Sequence, residues 1–282
     1  MAKTASKVTT KTPAKKAAPK SGAAKKTAAG VASPFVWYDA MTSDMRRATT
    51  FYKGVIGWTA ADSGNPTQRY TLFSAKARMV AGLMPIPDDA KGMPPMWMGY
   101  IGVSDIAAFV KKVKAAGGAV HRGPWEVPGV GHMAVAGDPH GAGFMLFQPS
   151  GMDPNPPAAP YTHGHMGWHE LYAGNLDEAF TFYAKLFGWT KSRAVDMGPM
   201  GVYQLFAVNG ADVGGMMTKP PHVPHPCWLY YITVDALDLA VARVTKGKGK
   251  IVNGPMEVPG GMWIAQCMDP QGAMFALVSM KR

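Results

Sequence analysis

The chain repeats itself. Phe51-Tyr52 returns as Phe182-Tyr183, and Gly57-Trp58 as Gly188-Trp189, both at a shift of 131 residues. At the same shift Trp97 meets Trp228, Tyr100 meets Tyr231, and Glu126-Val127-Pro128-Gly129 meets Glu257-Val258-Pro259-Gly260. Asp138-Pro139, Gly141-Ala142 and Phe144 match Asp269-Pro270, Gly272-Ala273 and Phe275. Only the middle drifts, where Tyr70 and Phe73 match Tyr203 and Phe206 at a shift of 133. So many identities in one register require two copies of one fold. With 282 residues, each copy is long enough to bury a core of its own.

The copies set the expected organisation: a tail over 1–33, a first domain over 34–149, a proline-rich linker over 150–162, and a second domain over 163–282. The net charge of +11 belongs mainly to the tail, which holds eight lysines and no acid, leaving 11 − 8 = +3 for the rest. The tail has no aromatic residue and two valines, too little apolar surface to offset its ordering entropy. It reads as a disordered, solvated extension. Its alternative role is a tether to nucleic acid or another polyanion, because lysines neutralise phosphates without reading sequence. No apolar run is long enough for a membrane span, and two cysteines make no disulfide framework. Both facts lead us to expect a cytoplasmic protein with no membrane partner.

Within a copy the pattern is strand, helix, strands, twice over. Phe35–Met41 is apolar and aromatic, as a strand requires. Ser43 or Asp44 can cap the next helix, whose Met45, Ala48, Phe51, Tyr52 and Val55 fall at helical spacing, and Gly57 stops it. Strands are expected around 68–74, 78–84, 96–103, 120–121, 132–136 and 143–148, with a second helix opening at Asp105. The second copy places its helices over 176–186 and 237–244. Each copy is thus a pair of βαβββ units, of α+β class.

Two such units per domain, the segment Phe-Tyr-x5-Gly-Trp after the first helix, and the run Asp-Pro-x-Gly-Ala-x-Phe resemble the vicinal oxygen chelate superfamily, the glyoxalase/bleomycin-resistance/dioxygenase fold. The stretch Gly123-Pro124-Trp125-Glu126-Val127-Pro128-Gly129 with Asp138-Pro139-His140-Gly141-Ala142 looks like its tandem two-domain subgroup, glyoxalase-like and hydroxylase-like. The resemblance covers nearly all of 35–280. It implies paired units curled into a cup-shaped, partly open barrel with the ligand on the concave face. If the protein is an enzyme, the resemblance implies a lyase or an oxidoreductase.

The resemblance also implies a divalent metal, held by His, Glu or Gln on inward strand positions. Mapped onto this chain, those positions carry Trp37 and Trp168, Met98 and Leu229, Met145 and Ala276, and a stretch at 70–73 and 203–206 without acid or imidazole. None suits a hard cation, so no cofactor is expected. The alternative is a divalent metal in copy two at His169, beside Glu170, since a one-residue register change would turn His169 inward. Two residues beyond the tryptophans, on the same strand face, stand Asp39 and Glu170, the candidate proton acceptors. The expected ligand-binding residues are Trp37, Asp39, Tyr70 and Trp97 in copy one, and Trp168, Glu170, Tyr203 and Trp228 in copy two. Together they suggest a pocket for a small apolar or aromatic molecule. A non-catalytic binding protein tethered by its tail is the remaining reading, and the chain is expected to be a monomer or a homodimer.

Overall fold

The computed structural model describes residues 1, 32–66, 68–151 and 158–282. Most of the basic tail, and the centre of the expected linker, lie outside the described residues, so the tether reading finds neither support nor contradiction in the fold. Copy one runs β1 (Phe35–Thr42), α1 (Met45–Ile56), β2 (Thr59–Asp62), β3 (Thr71–Ala75), β4 (Arg78–Pro85), β5 (Met96–Gly102), α2 (Ile106–Ala115), β6 (Ala119–Val127), β7 (Gly131–Gly137) and β8 (Gly143–Pro149). Copy two runs β9 (Met166–Ala173), α3 (Leu176–Phe187), β10 (Thr190–Asp196), β11 (Val202–Val208), β12 (Ala211–Thr218), β13 (Cys227–Thr233), α4 (Leu237–Lys246), β14 (Lys250–Val258), β15 (Met262–Met268) and β16 (Met274–Ser279). Each copy is therefore two βαβββ units, as expected. β2 was not expected: four residues long and mostly exposed, it carries no apolar alternation to mark it.

The local signals behave as their chemistry dictates. Asp44 caps α1 by accepting from the Arg47 amide, and Asp105 caps α2 through the Ala108 amide. Gly57 and Gly188 end α1 and α3 in the left-handed region, at φ 85° and 72°.

Each copy forms one curled eight-stranded sheet, in the order β2-β3-β4-β1-β5-β8-β7-β6 and β10-β11-β12-β9-β13-β16-β15-β14. The two units of a copy join through their first strands, β1 against β5 antiparallel, with Asp39 opposite Met98. Strand alternation divides the sheet. Tyr38, Ala40, Trp97, Ile101, Phe144 and Leu146 face the helices and the large core; Trp37, Met98, Tyr100 and Met145 face the concave side.

The large core belongs to both copies at once. α1 packs on α4 and α2 on α3, so each helix pair bridges the repeat. Phe51 stacks edge-on against Phe275, and its equivalent Phe182 does so against Phe144. Gly249 and Gly118 make room for those two phenyl rings, since a Cβ at either would collide with them. The Tyr52 hydroxyl donates to Asp269 Oδ2 at 3.0 Å and accepts from Trp97 Nε1 at 2.8 Å. The Tyr183 hydroxyl does the same with Asp138 at 3.5 Å and Trp228 at 3.0 Å. Each aspartate uses its other oxygen to close its own turn, Asp138 through the His140 and Ala142 amides and Asp269 through those of Gln271 and Ala273. The repeated Phe-Tyr and Asp-Pro motifs are thus two halves of one contact, each completed by the other copy.

Chain entry is reciprocal as well. Trp58 Nε1 donates to the Gly164 carbonyl at the start of copy two, and Trp189 Nε1 donates to the Ser33 carbonyl at the start of copy one. Ala32 is buried, and its amide donates to Asn209 Oδ1. Residues 32 and 33, assigned above to the tail, are therefore docked on copy two. No helix among the described residues is long and apolar enough to cross a membrane.

Tyr52→Phe leaves Asp269 Oδ2 and Trp97 Nε1 buried and short of a partner, so a loss of about 1–3 kcal/mol is expected. The longer Tyr183–Asp138 contact predicts a smaller loss for Tyr183→Phe. Urea denaturation followed by near-ultraviolet circular dichroism checks both, and the two copies should unfold in one transition because they share a core.

Candidate functional site

Each cup floor is organised around one buried carboxylate. In copy one, Asp39 is 4% exposed at the middle of β1. Its Oδ1 accepts from Trp37 Nε1 at 2.9 Å and from the Tyr70 hydroxyl at 2.6 Å; its Oδ2 accepts from the Tyr100 hydroxyl at 2.5 Å. These donors come from β1 itself, the approach to β3, and β5. In copy two, Glu170 Oε2 accepts from Tyr203 and Tyr231, each at 3.1 Å, and Gln266 Nε2 lies 3.3 Å from Oε1. Trp168 Nε1 donates to the Tyr203 hydroxyl at 2.8 Å, as Trp37 Nε1 also does to the Tyr70 hydroxyl at 2.9 Å.

Burial pushes both carboxyls above their ordinary range, and the hydrogen bonds oppose it: Tyr100, Tyr70 and Trp37 for Asp39, and Tyr172, Tyr231 and Tyr203 for Glu170. The phenols shift upward, first by burial and then by the adjacent carboxylate, so they stay protonated donors.

Tyr70 and Tyr203 cross the sheet at a glycine. Gly82 pairs with Asp39, and Gly215 with Glu170. A Cβ on Gly82 would overlap the Tyr70 hydroxyl and Asp39 Oδ1, and one on Gly215 would overlap the Tyr203 ring. Glycine is required here for close approach, not for an unusual φ.

The rest of each cup is apolar. In copy one the floor carries Met41, Met96, Met98, Met133 and Met145. At the equivalent positions copy two has Tyr172, Cys227, Leu229, Ile264 and Ala276. Copy two also has Gln266 where copy one has Val135. The Gln266 amide donates to Tyr172 at 2.7 Å and to Tyr231 at 3.0 Å, so its cup carries the larger polar network.

The structure therefore brings together Trp37, Asp39 and Tyr70 in one cup, and Trp168, Glu170 and Tyr203 in the other. It does not bring Trp97 or Trp228 to either. Both occupy the opposite strand face from the cup, and their indole N–H groups are taken by Tyr52 and Tyr183 in the shared core. Sequence reasoning had not placed Tyr100, Tyr231, Tyr172 or Gln266 in the site. For the first two the signal was present: they stand two residues beyond Met98 and Leu229 on the same strand face.

His169 and Glu170 do not converge, because neighbours on a strand point to opposite faces. His169 lies between the copies, stacked on Phe35 at 4.4 Å. Its Nε2 meets the Tyr38 hydroxyl at 2.5 Å and its Nδ1 meets the Val213 carbonyl at 2.7 Å. A carbonyl only accepts, so Nδ1 carries the proton and Nε2 takes the tyrosine's. Among the described residues no group of three or more His, Cys, Asp or Glu side chains converges. The cup lining does not fit a hard divalent cation. Its single carboxylate is already engaged by three donors, indole offers no usable lone pair, and thioethers are soft.

Family models for the Glyoxalase/Bleomycin resistance protein/Dioxygenase superfamily match residues 35–146 and 163–277. The chain is 32% identical over 248 residues to "Putative glyoxylase CFP32" of Mycobacterium tuberculosis, covering 86% of this chain and 93% of that protein. It is 30% identical over 262 residues to the anthracycline biosynthesis protein DnrV of Streptomyces peucetius, covering 87% and 92%. Among solved structures, the Mn(II)-bound glyoxalase of Novosphingobium aromaticivorans superposes with a TM-score of 0.60 at 18% identity, covering 89% of this chain and 83% of that one. The 2,2',3-trihydroxybiphenyl 1,2-dioxygenase of Sphingomonas wittichii reaches 0.62 at 14% identity, covering 88% and 90%. These two share the fold with this chain.

Two expectations follow from the geometry. Gly82→Ala should cost about 1–3 kcal/mol by overpacking, and adding Tyr70→Ala should recover part of it. A double-mutant cycle in urea reads the coupling, and strict additivity would contradict the proposed overlap. Burial lowers the His169 pKa to about 4, below its usual 6.5. The folded state then binds fewer protons than the unfolded state between those values, so stability rises with pH there. The contribution is complete above pH 6.5 and lost as pH falls toward 4. Imidazole NMR titration and denaturation at pH 7.5 and 5 check it, and titration of His169 near 6.5 would refute it.

Proposed function

The chain belongs to the glyoxalase/bleomycin resistance protein/dioxygenase superfamily, and within it we propose that this protein binds a small, largely apolar or aromatic molecule in its cups without a metal ion. The observation that carries this reading is the floor described above. Where the family resemblance implies metal ligands, the floor has indole, thioether and aliphatic groups around a carboxylate held by phenols. Such a surface offers dispersion contacts, ring stacking and a hydrogen-bond acceptor. An aromatic ligand also agrees with the anthracycline-biosynthesis name of one relative.

Any chemistry on the bound molecule would fall to the carboxylates. Asp39 and Glu170 are the titratable acids on the cup floors, and burial, by raising their pKa, makes each a better proton acceptor than a surface carboxylate. The neighbouring phenols orient the carboxylate, so the geometry suits proton transfer rather than nucleophilic attack.

Chelator-treated protein should bind naphthalene saturably in isothermal titration calorimetry, with affinity unchanged by added Mn(II), Zn(II) or Ni(II). The double substitution Trp37→Ala/Trp168→Ala should weaken it at least about tenfold, as loss of stacked area on both floors implies. Binding that appears only on adding metal would overturn the proposal, as would binding indifferent to both tryptophans.

A further inference from the structure

We propose that copy one carries a second small-molecule site, apart from its cup floor. It is the groove between α1 and β2, and it takes a phosphate monoester on a compact aromatic body. The inference goes beyond the cup reading above and does not depend on it.

The groove has a volume of about 280 Å³, just under the usual range for drug-sized ligands, so its occupant is small. Arg46, Thr49 and Lys53 line it from α1, at positions i, i+3 and i+7 of one helix face. Asp62 at the end of β2 and Arg69 on the approach to β3 form another wall, beside Met45 and Tyr70. The charge is one-sided. Three cations stand against one carboxylate, a balance of 3 − 1 = +2, and Asp62 already accepts from the Gly64 amide at 2.8 Å. Among the described residues the side chains of Arg46, Lys53 and Arg69 make no ion pair or hydrogen bond. By contrast, Arg122, Arg243 and Arg282 each pair with an aspartate. The Thr49 hydroxyl donates to the Met45 carbonyl at 2.7 Å, so the cations are the donors left for a ligand.

Copy two shows what fits such a place. At the 131-residue shift Thr49 becomes Phe180, Arg46 becomes Asp177, Lys53 becomes Ala184, and Ala60 of β2 becomes Lys191. Phe180 is buried, with the Lys191 ammonium 5.0 Å from its ring centre, and Lys191 Nζ lies 3.5 Å from Asp177. The chain's own ring, cation and acid thus close that place. Copy one has a half-buried threonine where the ring stands, and Arg46 where the acid stands. A ring bearing an anion supplies both missing parts.

Ligand chemistry follows from the charge. Guanidinium forks match phosphate oxygens in pairs, and a lysine adds a point charge. A phosphate monoester carries about two negative charges at neutral pH, which answers the +2 of the groove. A neutral aromatic molecule leaves the cations unanswered, and inorganic phosphate leaves the place of the ring unfilled.

Isothermal titration calorimetry of the full chain at low salt, with phenyl phosphate, inorganic phosphate and phenol, tests this. One equivalent of phenyl phosphate should bind, about tenfold or more tighter than either of the others, and it should weaken as salt screens the charges. Arg46→Ala/Arg69→Ala should weaken it about tenfold or more, as the loss of charged hydrogen bonds implies. Thr49→Phe supplies the copy-two ring and should abolish that equivalent. Arg46 and Arg69 are exposed, so the double variant tests the site even if Thr49→Phe folds poorly. Undiminished phenyl phosphate binding in the double variant, or in folded Thr49→Phe, overturns the site. Inorganic phosphate binding as tightly as phenyl phosphate overturns the aromatic class. Naphthalene binding should be the same in the double variant as in the unaltered chain, which separates this groove from the cups. If naphthalene does not bind while phenyl phosphate behaves as described, the cup reading falls and the groove stands. No binding of phenyl phosphate overturns the groove alone.

Discussion

The structure depends on a reciprocal clasp between the copies. Each first helix sends a phenylalanine and a tyrosine into the other copy, where the tyrosine meets the aspartate of a late turn: Tyr52 with Asp269, and Tyr183 with Asp138. That aspartate closes its own turn with one oxygen and reaches across with the other. Neither copy can therefore satisfy its buried polar groups alone. The helices, the Trp97 and Trp228 indoles and the noncup faces of both sheets are committed to a shared interior. Near its centre His169 meets Tyr38, and the Gly99 amide donates to the Tyr230 hydroxyl; each contact pairs positions 131 residues apart.

This commitment sets what is left for function. With one face of each sheet used for the clasp, the concave faces are free to differ. They share a carboxylate, a tryptophan, two tyrosines and a glycine that lets one tyrosine lie across the sheet. These groups tie strands together across the cup floor, mechanically the task a metal ion performs when it draws ligands from several strands. Around this hub the lining has diverged, to methionine in copy one and to a wider polar network in copy two. Duplication permits this: the clasp needs both copies, but each cup needs only its own.

Much of this was legible in the residues. The 131-residue shift, the aspartate caps and the helix-ending glycines are local, and they placed the copies and their helices. Trp37, Asp39, Trp168 and Glu170 were legible because alternation along one strand fixes their common face. Tyr70 and Tyr203 were suggested by recurrence alone, and it took Gly82 and Gly215 on a neighbouring strand to explain why they reach the carboxylates. Trp97 and Trp228 misled for a related reason. They recur and are large, but recurrence does not separate a residue kept for a ligand from one kept for the clasp. Short, exposed β2 carried no signal, since its pairing is dictated by β3 rather than by its own side chains.

What the sequence by itself determined is the duplication, the βαβββ pattern of each unit, the family, and the indole, thioether and aliphatic residues along the first, fifth and eighth strands of each copy. These are properties of residue type, spacing and short-range geometry. Only the tertiary structure decided that the Phe-Tyr and Asp-Pro motifs complete each other between copies, that His169 and Glu170 face opposite ways in practice, and that Gln266 ties Tyr172 and Tyr231 together in the copy-two cup. Such facts depend on which strands pair and in what register. Groups more than 30 residues apart in sequence supply those contacts, as when Tyr70 and Tyr100 meet over Asp39.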